Sequence, residues 1–183
     1  LLKMNRFHWH FADDEAFRIS LASLPELSGL TTRGNDQIVP NVFGGNTVVN
    51  GVYTHHDIDR IQQLAASLHI DIVPEIEVPA HALGLCRLFP DTRDPNDTGT
   101  EESVQGYTQN VLNPAMPETW RIIETMIKDL ADLFPGAILH LGGDELPNGA
   151  WAGSPLVDEL KRDHGLLDHY DVQGWTMARA ADI

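Results

Sequence analysis

Two neighbouring acids, Asp144 and Glu145, close the stretch AILHLGGDE (Ala137 to Glu145), directly after an apolar run and two glycines. A carboxyl that keeps its proton can donate it to a leaving oxygen, while an ionised neighbour stabilises developing positive charge. Like charges held close push one pKa of a pair up, which keeps a proton available near neutral pH. Along a regular strand, successive side chains point to opposite faces. Two adjacent acids therefore serve one site only where the chain leaves strand geometry, and Gly142 and Gly143 permit that departure. The plainer alternative is a helix-capping Asp beside a surface Glu.

Other side chains of the right kind lie at two earlier strand-like stretches. His8 and His10 flank Trp9, so their side chains share one strand face. An H-x-H pair at a strand end is also a metal-ligand arrangement, and with His81, Asp13 and Asp144 it leaves a metal-dependent hydrolase as a rival reading. Nothing fixes ligand spacing as tightly as H-E-x-x-H would, and packed, hydrogen-bonded histidines are the simpler expectation. His81 follows PEIEVPA (Pro74 to Ala80) and is expected to orient a carboxylate or pass a proton, acting on Glu145 as a neutral imidazole. Glu75 and Glu77 share a strand face and, if buried, need partners, which suggests a supporting hydrogen-bond role. Trp151 offers an apolar wall near the acid pair, against the commoner role of packing. Arg18 reads as a structural ion-pair partner.

The elements that must position these residues follow from periodicity. LLKMNRFHWHF (Leu1 to Phe11) reads as a buried strand with ADDEAFR as its loop, and residues 19–50 read as a long excursion without a clean period. A small hairpin is expected at GGNTVVNGVYT (Gly44 to Thr54). Thr54 then caps a helix through His69, with Ile58, Ile61, Leu64, Ala65 and Leu68 at helical spacing. IDIVPEIEV (Ile70 to Val78) is the next strand, followed by a loop from Pro79 to Pro117 that is too long to be mere connection. A second helix over 118–134 buries Ile122, Ile123, Met126, Ile127, Leu130 and Leu133. AILHLGG forms a third strand, and residues 155–183 are helical with a break near Gly165. Strand and helix alternate, the strands are apolar, and each strand ends in acids or histidines. That pattern predicts a parallel sheet covered by helices with a site at its carboxyl edge.

The chain has 183 residues, a net charge of −15 and one cysteine, Cys86. The length supports one domain with a sizeable core. The charge disfavours nucleic acid and anionic membrane as partners, since both need basic patches. A single cysteine excludes an internal disulfide framework and a multi-cysteine zinc site. No apolar run approaches the roughly 20 residues of a membrane span. The opening at Leu1, straight into strand-like sequence, reads as the interior of a longer protein, so compartment is left open.

Three stretches together resemble the family-20 glycoside hydrolases, the β-N-acetylhexosaminidases. KMNRFHWHFADDEAFR resembles the family's second-strand motif, and GVYTHHDIDRIQQLAASLHIDIVPEIEVPAH its next helix and third strand. NPAMPETWRIIETMIKDLADLFPGAILHLGGDE resembles the helix into the fourth strand, ending in the catalytic pair. The resemblance implies an α/β fold, part of a (β/α)8 TIM barrel, covering roughly strands 2 to 4 with their helices. Residues 1–183 would be a partial catalytic domain, with the N- and C-terminal parts of the barrel absent. It implies hydrolysis of terminal β-linked N-acetylglucosamine or N-acetylgalactosamine from oligosaccharides or glycoconjugates, with the substrate's own 2-acetamido oxygen as nucleophile. Glu145 would be general acid and then base, and Asp144 would hold the acetamido N–H. Asp13 and His81 would support the acid; Trp151 and His10 are this reading's own candidates for binding the sugar. No metal or other cofactor is implied.

Two positions depart from the family pattern: Glu77 and Ala80 stand where Asp and Gly are common. The first-strand arginine and the later barrel strands are expected beyond the ends of the chain. A second reading is therefore a catalytically incompetent fragment, an open sheet whose strand edges and apolar surface invite self-association.

Overall fold

In the computed structural model, which describes residues 3–33, 49–95, 103, 106, 108 and 110–183, helices pack around a small parallel sheet. Along the chain, β1 (Arg6–His10) leads into a hairpin of β2 (Ala12–Asp13) and β3 (Ala16–Phe17). A 3-10 helix at Pro25–Leu30 precedes an antiparallel pair, β4 (Thr32–Arg33) with β5 (Val49–Asn50). Helix α1 (His55–Ser67), β6 (Asp71–Glu75), α2 (Leu83–Leu88) and a short 3-10 turn at Pro90–Thr92 follow. The chain then forms α3 (Pro117–Leu133), α4 (Pro155–His164) and α5 (His169–Ala181).

β1 and β6 are parallel, in a register running from Arg6 opposite Asp71 to His10 opposite Glu75. The third expected strand, Ala137–Leu141, lies along the other side of β6 as an extended segment with one bridge, Glu75 to His140, instead of a full ladder. The reason lies in the residues. In a parallel ladder a residue directs its N–H and C=O to the same neighbour. Pro74 accepts from His140 N at 2.9 Å but has no N–H to return toward Ile138. At the far end Gly142 gives its N–H to the His140 ring at Nδ1, 3.1 Å away. Between those limits Ile76 N bonds His140 O, and Val78 N bonds Leu141 O, both at 3.1 Å.

Alternation sends Trp9 to the helix-covered face, where its ring meets Phe11, Tyr53 and Phe134 edge-on. Ile58 of α1 and Ile122, Ile123, Met126 and Leu130 of α3 complete this core. The opposite face carries His8, His10, Glu75 and His140, and is open among the described residues. The strands are covered on one side, and the first strand is less buried at its start than its apolar sequence suggests: Phe7 of β1 and Met4 just before it are exposed.

Helix starts follow local chemistry. Thr54 caps α1 in a reciprocal box, its side chain accepting from Asp57 N while the Asp57 carboxylate accepts from Thr54 N. Leu64 and Leu68, expected on the buried stripe, are exposed, while Ile58 and Ala65 are buried. Ser154 caps α4, which ends at Gly165 in the left-handed conformation, as the predicted break requires.

Three loops differ from expectation. The excursion after β3 holds the 3-10 helix and buries Leu21, Leu24, Leu27 and Leu30. The hairpin expected over 44–54 lies partly outside the described residues; within them, Val49–Asn50 pairs with Thr32–Arg33. The long loop after β6 contains α2, whose first N–H groups are taken by Asp14: Leu83 N by its carboxylate at 3.0 Å, and Gly84 N by its carbonyl at 2.9 Å. No helix among the described residues is long and apolar enough to cross a membrane.

Candidate active site

The turn after Leu141 explains how neighbouring acids reach one place. Gly142 and Gly143 adopt φ of 69° and 92°, and Glu145 itself has φ of 48°. Three left-handed residues in four end the strand alternation. At Gly142 the backbone favours glycine, and a β-carbon there would overlap the Glu77 carboxyl, which would have to move. Gln173 of α5 pins the turn by donating to Gly143 O at 2.8 Å. Asp144 and Glu145 end exposed, and one carboxylate oxygen of each lies with a His81 ring nitrogen in a cluster whose atoms are all within 4.8 Å of one another.

His81 comes from the loop after β6, at φ 51°, and is buried. Its Nε2 stands 3.2 Å from Glu145 Oε2, and its Nδ1 3.1 Å from Asp13 Oδ1 and 3.6 Å from Asp14 Oδ2. His81 thus stands within charge-pair distance of a carboxylate through each ring nitrogen. Asp13, then Asp14, pushes the His81 pKa up to about 11 against the opposing effect of burial. The neutral imidazole expected from the sequence is therefore an imidazolium, because two carboxylates stand behind it. Burial works to raise the Asp13 pKa, yet His10, His81 and the Asp14 N–H together hold it well below the usual carboxylate range.

Asp14 was not legible as a site residue, although the DD pair at the end of β1 hinted at it. It is fully buried and accepts from Leu83 N, Asn110 Nδ2 and Ser103 Oγ. It thereby locks the β1 end to the His81 loop.

A second cluster lies on the open face of the sheet. Glu75 accepts from His10 Nδ1 at 2.8 Å on Oε2, where His8 Nε2 also stands at 2.8 Å, and His140 Nδ1, the acceptor of the Gly142 N–H, lies 2.7 Å from Oε1. Burial works to raise the Glu75 pKa, but the hydrogen bond from His10 and the nearby imidazoles lower it overall. His140 was missed in the sequence, although it continues the period-two series of the open face. His8, Glu75 and His140, or His10, Glu75 and Glu77, offer donor atoms close enough together for a cation. In the structure His8 Nε2, His10 Nδ1 and His140 Nδ1 lie 2.7–2.8 Å from the Glu75 carboxylate oxygens. The H-x-H pair shares the Glu75 carboxylate, but both histidines are exposed and not the packed core residues that the simpler reading expects.

His10 joins the two clusters, reaching Asp13 Oδ2 at 3.4 Å through Nε2. The Asp13 hydrogen bond, opposed by burial and aided by Glu75, raises its pKa to about 9. Trp151 is half-buried, at φ 58°, and its indole N–H donates to Leu112 O at 3.1 Å. The segment it grips is bonded to the His81 loop, with Leu112 N on Pro79 O. The structure thus draws together Asp13, His81, Asp144, Glu145 and His10, while Trp151 is tied to the site through Leu112. Arg18 donates to the carbonyls of Thr31 and Gly51.

Comparison with known proteins adds an independent line. Residues 1–183 match the family model described as glycosyl hydrolase family 20, catalytic domain. The chain is 36% identical over 175 residues to a beta-hexosaminidase of Vibrio furnissii, covering 94% of the chain and 29% of that protein. It is 31% identical over 183 residues to a beta-hexosaminidase of Porphyromonas gingivalis, covering 100% of the chain and 23% of that protein. Its fold superposes with a TM-score of 0.89 on the family-20 exo β-N-acetylglucosaminidase of Vibrio harveyi, solved in complex with N-acetylglucosamine, at 35% identity over 97% of this chain and 28% of that one. The chain spans about a quarter of the length of these relatives.

Proposed function

The chain belongs to glycosyl hydrolase family 20, a glycoside hydrolase family built on a TIM barrel, and on that premise we propose that it carries the acid–base part of an exo-acting β-N-acetylhexosaminidase. Residues 1–183 would supply roughly the second to fourth strand–helix units of the catalytic barrel.

The observation that carries this reading is the alignment of Asp13, His81 and Glu145, with His81 facing one carboxylate through each ring nitrogen. In the proposed reaction the substrate's acetamido oxygen attacks C1 and forms an oxazolinium ring. The C1–O bond to the leaving group breaks as Glu145 gives its proton to the leaving oxygen. Asp144 accepts the acetamido N–H and balances the positive charge of the ring. Glu145 then removes a proton from water, which opens the ring at C1 with overall retention. The His81 imidazolium stabilises the Glu145 carboxylate left after proton donation, and Asp13 holds that imidazole in line. His10 and Trp151 are assigned to the sugar, His10 from the edge of the open face and Trp151 from the loop after the acids.

The test compares an aryl N-acetyl-β-glucosaminide with the matching aryl β-glucoside, using residues 1–183 and the full-length protein. Cleavage of the acetamido sugar alone supports the reading. Equal cleavage of both sugars refutes acetamido participation. Activity confined to the full-length protein assigns this chain the role of an incomplete catalytic unit.

A further inference from the structure

The proposed mechanism leaves one buried acid unused. Glu77 is 3% exposed, just past β6, and its Oε2 has no hydrogen-bond partner. Its other oxygen, Oε1, faces His10 Nδ1 at 3.4 Å, but that nitrogen is committed to Glu75 Oε2 at 2.8 Å. The carboxyl packs on Gly142 so closely that any β-carbon at that position would overlap it. Gly142 opens the turn that presents Asp144 and Glu145. A buried, unpaired carboxylate would be strongly disfavoured; a buried carboxylic acid is tolerated.

We propose that Glu77 is a positioning residue for Asp144: as an uncharged acid wedged beneath Gly142, it supports the turn and places no negative charge under the acetamido-binding carboxylate. This rests on the reading of Asp144 and Glu145 as the reacting pair. The charged groups facing Glu77 among the described residues are Glu75 on β6, His10 on β1, His81 on the following loop and Asp144 on the turn. Burial first, then the negative charges of Asp144 and Glu75, raise its pKa to about 8, with His10 and His81 opposing. Above that pH an anion forms beneath the turn and repels Asp144.

The experiment uses the full-length protein with the wild-type residue, Glu77→Gln and Glu77→Ala, and follows kcat and KM for an aryl N-acetyl-β-glucosaminide from pH 5 to 10. Gln keeps the shape and cannot ionise, so kcat at pH 6 stays within about threefold of wild type, and the part of the alkaline fall centred near pH 8 is removed, leaving the fall set by the general acid Glu145. Ala empties the floor of the turn and lowers kcat about tenfold or more, with a smaller change in KM. Identical alkaline limbs in wild type and Glu77→Gln overturn the proposal, as does wild-type kcat in Glu77→Ala. Difference infrared spectra provide a readout independent of activity: a protonated carboxyl band present at pH 6.5, lost by pH 9.5 and absent in Glu77→Gln. Without that band the proposal fails even if the enzyme is active. A wild-type protein that shows the band but cleaves no acetamido sugar refutes the functional reading and the positioning role built on it, leaving Glu77 a structural acid.

Discussion

His81 Nε2 stands 3.2 Å from Glu145 Oε2, although one residue follows β6 and the other follows the bridged segment beside it. The contact exists because the ends of parallel strands lie side by side. It joins the proposed proton donor to a cation that Asp13 and Asp14 hold in place.

Replacing Glu145 by Gln removes the transferable proton while keeping the side chain's shape. Turnover of substrates with poor leaving groups is expected to fall about 10²- to 10⁴-fold, and that of activated aryl glycosides much less. Steady-state kinetics on an alkyl and a dinitrophenyl N-acetyl-β-glucosaminide check this. Equal losses on both would remove Glu145 as the acid.

Asp144→Asn is expected to lower kcat for acetamido sugars by about 10²- to 10³-fold, as loss of a preorganised electrostatic partner does. The circular dichroism spectrum should not change, because the Asp144 side chain is exposed. Wild-type kinetics in this variant would take Asp144 out of the mechanism.

Asp13→Asn takes away the group that does most to raise the His81 pKa. The His81 titration, followed by NMR of the ring protons, is expected to move down from about 11 toward the ordinary histidine value, with Asp14 limiting the fall. An unchanged titration would show that Asp13 does not hold the imidazolium.

Stability should depend on pH in a definite direction. His81 titrates near 11 when folded and near 6.5 when unfolded, so its stabilisation is complete below pH 6.5 and is lost as pH rises toward 11. Glu77 acts in the same direction, since the folded protein keeps its proton to about pH 8 while the unfolded chain releases it near 4.5. Asp13 works oppositely: its depressed pKa contributes stability above about 3.8 that is lost on acidification. Tm should therefore be higher at pH 6 than at pH 9, and His81→Asn should flatten that decline. A Tm rising from pH 6 to 9 would contradict the charge state assigned to His81.

Gly142→Ala combines a left-handed backbone with an overlap onto Glu77. The backbone strain alone amounts to about 1–3 kcal/mol. Because the clash is with one side chain, pairing the change with Glu77→Ser should recover part of the loss, giving a double variant more stable than additivity predicts. Strict additivity in urea titrations would show that the glycine answers only to its backbone angle.

Much of this architecture can be read along the chain because it is local. Thr54 and Asp57 specify where α1 starts, Gly165 specifies where α4 stops, and the spacing of Ile122, Ile123, Met126 and Leu130 specifies which side of α3 is buried. Leu21, Leu24, Leu27 and Leu30 carried a period of three that the helical and strand templates of 3.6 and two both overlook. The acid pair, the glycines before it, His81 and Asp13 were identifiable by type and by their places at strand ends.

What only tertiary structure decided is how those residues are charged and paired. Protonation depends on neighbours distant in sequence, so the sequence suggested a neutral His81 where Asp13 and Asp14 make it a cation. The partners of Glu75 come from β1 and from the segment beside β6, and Glu77 adds a spatial reason for glycine at position 142 to the backbone one. Periodicity and capping report energies between residues a few positions apart. Ion pairs and close packing depend on separation in space, which is set only when the strand ends are brought side by side.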